Sequence, residues 1–222
     1  TSTQGGAGVI GGVANFRTLE AADLLKDGKQ IGGRIRLTSG LGGRSNGTHF
    51  IGSSAFAVGT DVWDMLVAAS ERHLGDYNPG TRGSIGELRS GAAYMPASEE
   101  RIKNSTVAYS GSVMRSRLLK LGLNLPVEQR LQLSYLVTEV DYDDVNMMTA
   151  EKPQLWEKLG SSNVKAQNFA LDYSYAPDNP LIDFKAKLYH VDTRNDQSTL
   201  ARGISKAYDV TYQTNTYGAQ AQ

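Results

Sequence analysis

The 222-residue chain has no cysteine. Disulfides, thiolate zinc sites, iron–sulfur clusters and cysteine nucleophiles are therefore excluded together. It also lacks a surplus of either charge, because 23 Lys and Arg meet 23 Asp and Glu. A nucleic-acid binder that works by releasing counterions needs a basic excess, so no nucleic-acid partner is expected. Histidine is scarce; His49, His73 and His190 leave little for a histidine metal site. Mean hydropathy is −0.37, and no apolar run reaches the roughly 18 residues of a membrane helix. The chain opens at Thr1, without an initiator Met, in a glycine-rich segment. It is expected to be part of something larger.

What is present is alternation. One short helical pattern occurs at Thr18 to Lys26, with Leu19, Ala22 and Leu25 at helical spacing. After Gln30 nearly everything follows period two, the mark of strands with one apolar and one polar face. Ile182, Phe184, Ala186 and Leu188 alternate with Asp183, Lys185, Lys187 and Tyr189. Phe169, Leu171, Tyr173 and Tyr175 alternate with Ala170, Asp172 and Ser174. Leu131, Leu133, Tyr135 and Val137 do the same, with Leu136 a defect in the polar face. About eight strands are predicted, near 30–40, 48–58, 63–77, 111–123, 130–144, 163–175, 181–192 and 205–219.

The fold class that follows is all-β, an antiparallel transmembrane β-barrel. Runs of about ten alternating residues fit a barrel wall, whereas strands of soluble sandwiches average about five or six. The connections point the same way. Tight turns are expected at Gly59-Thr60-Asp61, Asn124-Leu125-Pro126 and Pro177-Asp178-Asn179-Pro180. Longer ones, of about 30, 20 and 12 residues, are expected after Tyr77, Asp144 and Asp192. Short turns on one rim and long loops on the other describe a bacterial outer-membrane barrel. Trp63, Tyr173, Tyr175 and Tyr212 are read as its interfacial aromatic girdle. Arg34, Arg36, Asp172, Asp183, Lys185, Lys187 and Asp209 belong to the polar face. An eight-stranded barrel is filled by its own side chains, so this much inward charge suggests that the strands are one arc of a wider barrel.

Two motifs are declined. Gly6-Ala7-Gly8-Val9-Ile10-Gly11 matches the dinucleotide fingerprint but lacks a preceding strand and a following helix. Gly43-Arg44-Ser45-Asn46-Gly47 matches a nucleophile elbow but runs into the strand-like Thr48-His49-Phe50-Ile51 instead of a helix. The enzyme reading rests on these two alone, so no catalytic residue is assigned. Asp141, Asp143 and Asp144 cluster without EF-hand spacing, and a solvated loop entrance explains them. No metal site is assigned. His73 and Tyr77, at the outer end of the third strand, are the candidates for a ligand vestibule.

The segment Gly5-Gly6-Ala7-Gly8-Val9-Ile10-Gly11-Gly12-Val13-Ala14-Asn15-Phe16 resembles the end of the plug in TonB-dependent outer-membrane receptors. Four further stretches resemble the haem branch and its hemophore receptors: Asn46–Gly52, Ala69–Tyr77, Asn124–Tyr135 and Ala186–Asp192. The terminal Tyr217–Gln222 is similar too. The resemblance implies a 22-stranded barrel around a plug, with residues 1–29 closing the plug and linker and residues 30–222 opening the barrel. It implies import of haem, as transported ligand and not resident cofactor, across the bacterial outer membrane. The haem would be delivered by a hemophore or haem protein, and the TonB complex would contact a segment outside this chain. The family's axial haem ligands also fall outside it. A siderophore receptor of the same architecture, or a self-contained small outer-membrane barrel, is the alternative.

Overall fold

The computed structural model describes residues 17–26, 28–40, 49–78, 80, 103, 105–147, 156–179, 181–202 and 204–222. Its strands are β1 (Ile31–Gly40), β2 (His49–Gly59), β3 (Trp63–Leu74), β4 (Ser112–Leu125), β5 (Gln129–Met147), β6 (Trp156–Tyr175), β7 (Phe184–Thr199) and β8 (Tyr208–Ala221). Each pairs antiparallel with the next in one eight-stranded sheet, ordered β1 to β8. The edge strands β1 and β8 do not pair with each other. The described residues thus form an open sheet, and a self-contained eight-stranded barrel is not what they build.

Residue parity assigns the two faces. The sheet's inner face is defined by Ala57 and Leu66, both fully buried against Ala21 and Leu24 of the segment that precedes β1. Following the register from Leu66 gives Lys120, Ser134, Ala170, Tyr189 and Gly218 on that same face. Tyr189 lies over Gly218, where an added Cβ would run into its ring. Of the helical pattern only a single 3-10 turn, Ala21–Asp23, is formed. Leu19, Leu25, Ala55 and Leu118 pack around this small cluster. Leu118 pairs directly with Leu136. The apolar break in the polar pattern of β5 therefore continues the cluster that receives the preceding segment.

Apart from Ser54 and Gln129, the outer face is free of polar side chains along β1–β4 up to Leu37, Phe50, Ala69 and Leu119, and along β5–β8 up to one aromatic row. Tyr135, Phe169, His190 and Tyr217 are direct cross-strand neighbours. Their rings stack at centroid separations of 4.5, 6.3 and 4.3 Å. Beyond the row the same face turns charged. Arg115 meets Asp141 at 3.2 Å, Lys158 meets Asp143 at 2.7 Å, and Arg194 meets Asp196 at 2.8 Å. Length explains the change. The 19 residues of β5 and 20 of β6 span roughly 65 Å at about 3.4 Å each. Even tilted by about 45° they exceed the ~25 Å apolar band of a barrel, so their outer parts stand in water.

Several expectations need correction. β5 runs on to Met147 and β6 restarts at Trp156, so their connection is residues 148–155 and not a loop of about 20. The charged outer parts of these strands break the apolar alternation while the backbone ladder continues, with one slip between Asp144 and Val145. Tyr212 falls on the inner face and Asp209 on the outer, the reverse of the expected assignment. Trp63, Tyr173 and Tyr175 are on the outer face, at the end near the short turns 60–62 and 126–128. His190 stands mid-strand in the aromatic row. Both declined motifs lie outside the described residues, although β2 begins at His49 as a strand.

Candidate functional site

Three places on this sheet are built by more than alternation. The first is the neck of the longest connection, residues 75–111. Tyr77 and Val107 form an isolated antiparallel bridge, with the Val107 N–H donating to the Tyr77 carbonyl at 2.9 Å. The Tyr77 N–H donates to Ser110 Oγ at 3.0 Å, and the Ser110 hydroxyl donates onward to the Val107 carbonyl at 2.6 Å. Asp76 accepts the Gly111 N–H at 2.9 Å. A Cβ on Gly111 would come within 2.9 Å of the Leu74 carbonyl, so the chain can turn here only without a side chain. The neck borders a cavity of about 680 Å³ lined by Asp76, Tyr109, Tyr142, Ser162 and Gln197 among others. Most of its lining residues are polar, as suits a hydrated mouth.

The second place is a clamp on the inner face near the short turns. Asp64, Gly122 and Gln132 face one another across β3, β4 and β5. The Arg130 side chain lies diagonally over Gly122. Its Nη1 donates to Asp64 Oδ2 at 2.6 Å and Asn124 Oδ1 at 2.8 Å. Its Nη2 donates to Asp64 Oδ1 and Gln132 Oε1, each at 3.0 Å. The fork geometry of guanidinium on carboxylate makes this the strong class of ion pair. A Cβ on Gly122 would lie 2.7 Å from both Arg130 Cζ and Asp64 Oδ2.

The third place fastens the segment before β1 to the wall. The Lys120 side chain is only 5% exposed and meets the carboxylate of Glu20. Arg17 grips Asp23 with two hydrogen bonds of 2.9 and 2.7 Å. The Arg17 guanidinium, with the Glu20 N–H, holds the Asp23 carboxyl down to about 2. Between this segment and β4–β8 lies a polar space of about 710 Å³, where Lys187 pairs with Asp172 at 3.0 Å.

The two vestibule candidates are not brought together as a pair. His73 is exposed and sits in register between Phe50 and Val113, on the outer face shared with Trp63 and Val67. It also borders the cavity at the neck. Tyr77 has left the strand and is 48% exposed beside Val107. The three aspartates do not converge on one point. Asp141 binds Arg115 and Asn163, Asp143 binds Lys158, and Asp144 accepts Gln197 from the other face. No group of metal-ligating side chains occurs among the described residues. Sequence reading missed the Arg130 clamp and the Lys120 tether. Their only signal was a charged residue at an inner parity position, which six of the eight strands offer.

No family model matches the chain. It is 24% identical to the hemophilin receptor of Acinetobacter baumannii, over 87% of its own length and 23% of that protein. It is 25% identical to TonB-dependent heme receptor A of Haemophilus influenzae, over 88% of its length and 25% of that protein. Among solved structures it is similar to a double mutant of the Serratia marcescens hemophore receptor HasR in complex with its hemophore HasA and heme. Identity there is 40% over 92% of this chain and 25% of that chain, with a TM-score of 0.68. The chain thus spans about a quarter of the length of these relatives. In sequence and in fold it is a barrel-wall segment of the TonB-dependent receptor family, matched to members named for haem and hemophores.

Proposed function

We propose that the protein to which this chain belongs imports haem across the bacterial outer membrane, drawing energy from the TonB complex. Haem is its transported ligand, and a hemophore or haem protein is its source. The observation that carries this reading is the 40% identity, over nearly the whole chain, to a receptor solved with its hemophore and heme. We infer no enzymatic role; the proteins it resembles are named as receptors. In this reading residues 1–29 end the plug and its linker, and residues 30–222 open the barrel.

Each built place then has a task. The inner face, with its paired charges, meets the plug or lumenal water. The Glu20–Lys120 contact fastens the end of the plug to the wall while TonB moves the rest. The neck at Tyr77 and Val107 presents the connection 75–111 to the outer vestibule, bordered by His73 and Tyr77. Haem's axial ligands come from outside these residues.

The test is a haem titration of the full-length parent receptor in detergent, followed by Soret absorbance. Saturable one-to-one binding with a low-spin, histidine-type spectrum is expected. A folded receptor, extracted from the outer membrane, that binds no haem would overturn the haem assignment and leave a siderophore receptor in its place. Within this chain, deletion of residues 78–110 from the parent is expected to weaken hemophore docking or haem capture. Unchanged binding and unchanged growth on haem would remove that segment from the vestibule.

A further inference from the structure

The outer face carries one groove that neither haem nor the plug explains. It has a volume of about 760 Å³ and crosses β1 to β5. Its floor is Ser54 and Ala69, direct neighbours on β2 and β3 whose small side chains leave a depression. Phe56, Val67 and Leu119, one step toward the short turns, are also cross-strand neighbours and form the apolar side. Arg117, in register with Ala69, closes the other end.

Two arginines border the groove; Arg34 has inner parity on β1, and Arg117 is the one that belongs to the outer face. It is exposed and has no ion-pair or hydrogen-bond partner among the described residues. Arg115, two residues along the same face, is engaged by Glu71 and Asp141. Arg117 is thus a free cation at the boundary where the apolar band meets the charged outer parts of the strands. A guanidinium there is tolerated because its stem covers apolar surface while its head reaches the interface. A groove that is apolar along its length and cationic at its outer end has the charge pattern of an acylated phosphate. The cation lies on the side of the strands that leads to the longest connection, the outward rim in barrels of this kind. The occupant is therefore placed in the outer leaflet.

Resting on the outer-membrane reading above, we propose that this groove binds an acyl chain of a bis-phosphorylated glycolipid of the outer leaflet, with a phosphate held by Arg117. Ser54 and Ala69 admit the chain. Arg117 supplies two parallel N–H donors to the phosphate, the pairing that guanidinium geometry favours.

The experiment uses full-length receptor purified from outer membranes, delipidated, and returned to detergent with either bis-phosphorylated lipid A or phosphatidylglycerol. Retained lipid is counted by native mass spectrometry. Lipid A is expected to remain on the unmodified receptor in preference to phosphatidylglycerol. Arg117→Gln should lower retention about fivefold, the effect of one interfacial cation on an anionic headgroup. Ala69→Leu, which fills the floor and leaves Arg117 in place, should lower it too. Heat-modifiable gel migration confirms that each variant is folded. Equal retention by all three folded proteins would overturn the site. Equal retention of phosphatidylglycerol with the same Arg117 dependence would overturn the outer-leaflet assignment. A parent that is not extracted from the outer membrane would instead fail the barrel reading itself.

Discussion

Gly122→Ala tests whether the inner-face clamp stabilises the wall. The new methyl group would lie 2.7 Å from Arg130 Cζ and from Asp64 Oδ2, closer than real side-chain carbons approach. The guanidinium must swing away, and Asp64, whose side chain is only 13% exposed, then loses both of its donors. Overpacking of this kind costs about 1–3 kcal/mol. Against it stands the backbone benefit of replacing a strand glycine, about 0.5–1 kcal/mol. The net expectation is a loss of about 1–2 kcal/mol. If the clamp is removed first, by Asp64→Ala with Arg130→Ala, the steric cost disappears and only the backbone benefit remains. Gly122→Ala should then stabilise by about 0.5–1 kcal/mol. The assay is the urea midpoint of the full-length receptor in detergent, followed by tryptophan fluorescence for all four members of the cycle. A loss of equal size in both backgrounds would refute the reasoning, because it would place the cost of a side chain at 122 elsewhere than in the clamp.

Three further outcomes follow from the same geometry. Leu171→Lys, on the outer face within the apolar band, should cost about 2–4 kcal/mol, whereas Asn168→Lys, on the inner face of the same strand, should stay within about 1 kcal/mol; refolding midpoints in lipid vesicles decide it, and equal costs would invert or abolish the face assignment. Glu20→Gln strands the Lys120 ammonium at 5% exposure. A loss of about 2 kcal/mol is expected, below the 3–5 of fully buried pairs because Glu20 is itself a third exposed. Adding Lys120→Met should restore most of it in the same urea assay. The Arg17–Asp23 contact should respond to acid. With its carboxyl depressed to about 2, Asp23 contributes stability that is complete above its ordinary value near 3.8 and lost as pH falls through about 2. A bimane label at Thr18→Cys, in a chain with no cysteine of its own, should report loosening only in that window, and Arg17→Gln should move the loosening to higher pH.

Period-two alternation by itself determined the eight strands, the antiparallel meander and the two faces of every strand but β8, because a strand's side chains must alternate wherever one side meets lipid or an apolar neighbour. The 17–26 segment shows the limit of that logic. Leu19, Ala22 and Leu25 have helical spacing, yet only the 3-10 turn Ala21–Asp23 forms, since Ala21 and Leu24 are held by Ala57 and Leu66 and not by a helix of their own. Strand ends were legible only where hydrophobicity and pairing end together. On β5 to β7 the ladder outruns the apolar band, so β6 starts at Trp156 and not near 163. Tertiary structure alone decided which charges meet. Nothing local distinguishes Arg130, which folds across Gly122 to reach Asp64 sixty-six residues away, from Arg117, which points from the opposite face of the neighbouring strand and has no described partner. A charge's place in a clear alternation gives its face, as it did not for Asp209 on the mixed strand β8, and its partner is fixed by register, a property of the assembled sheet.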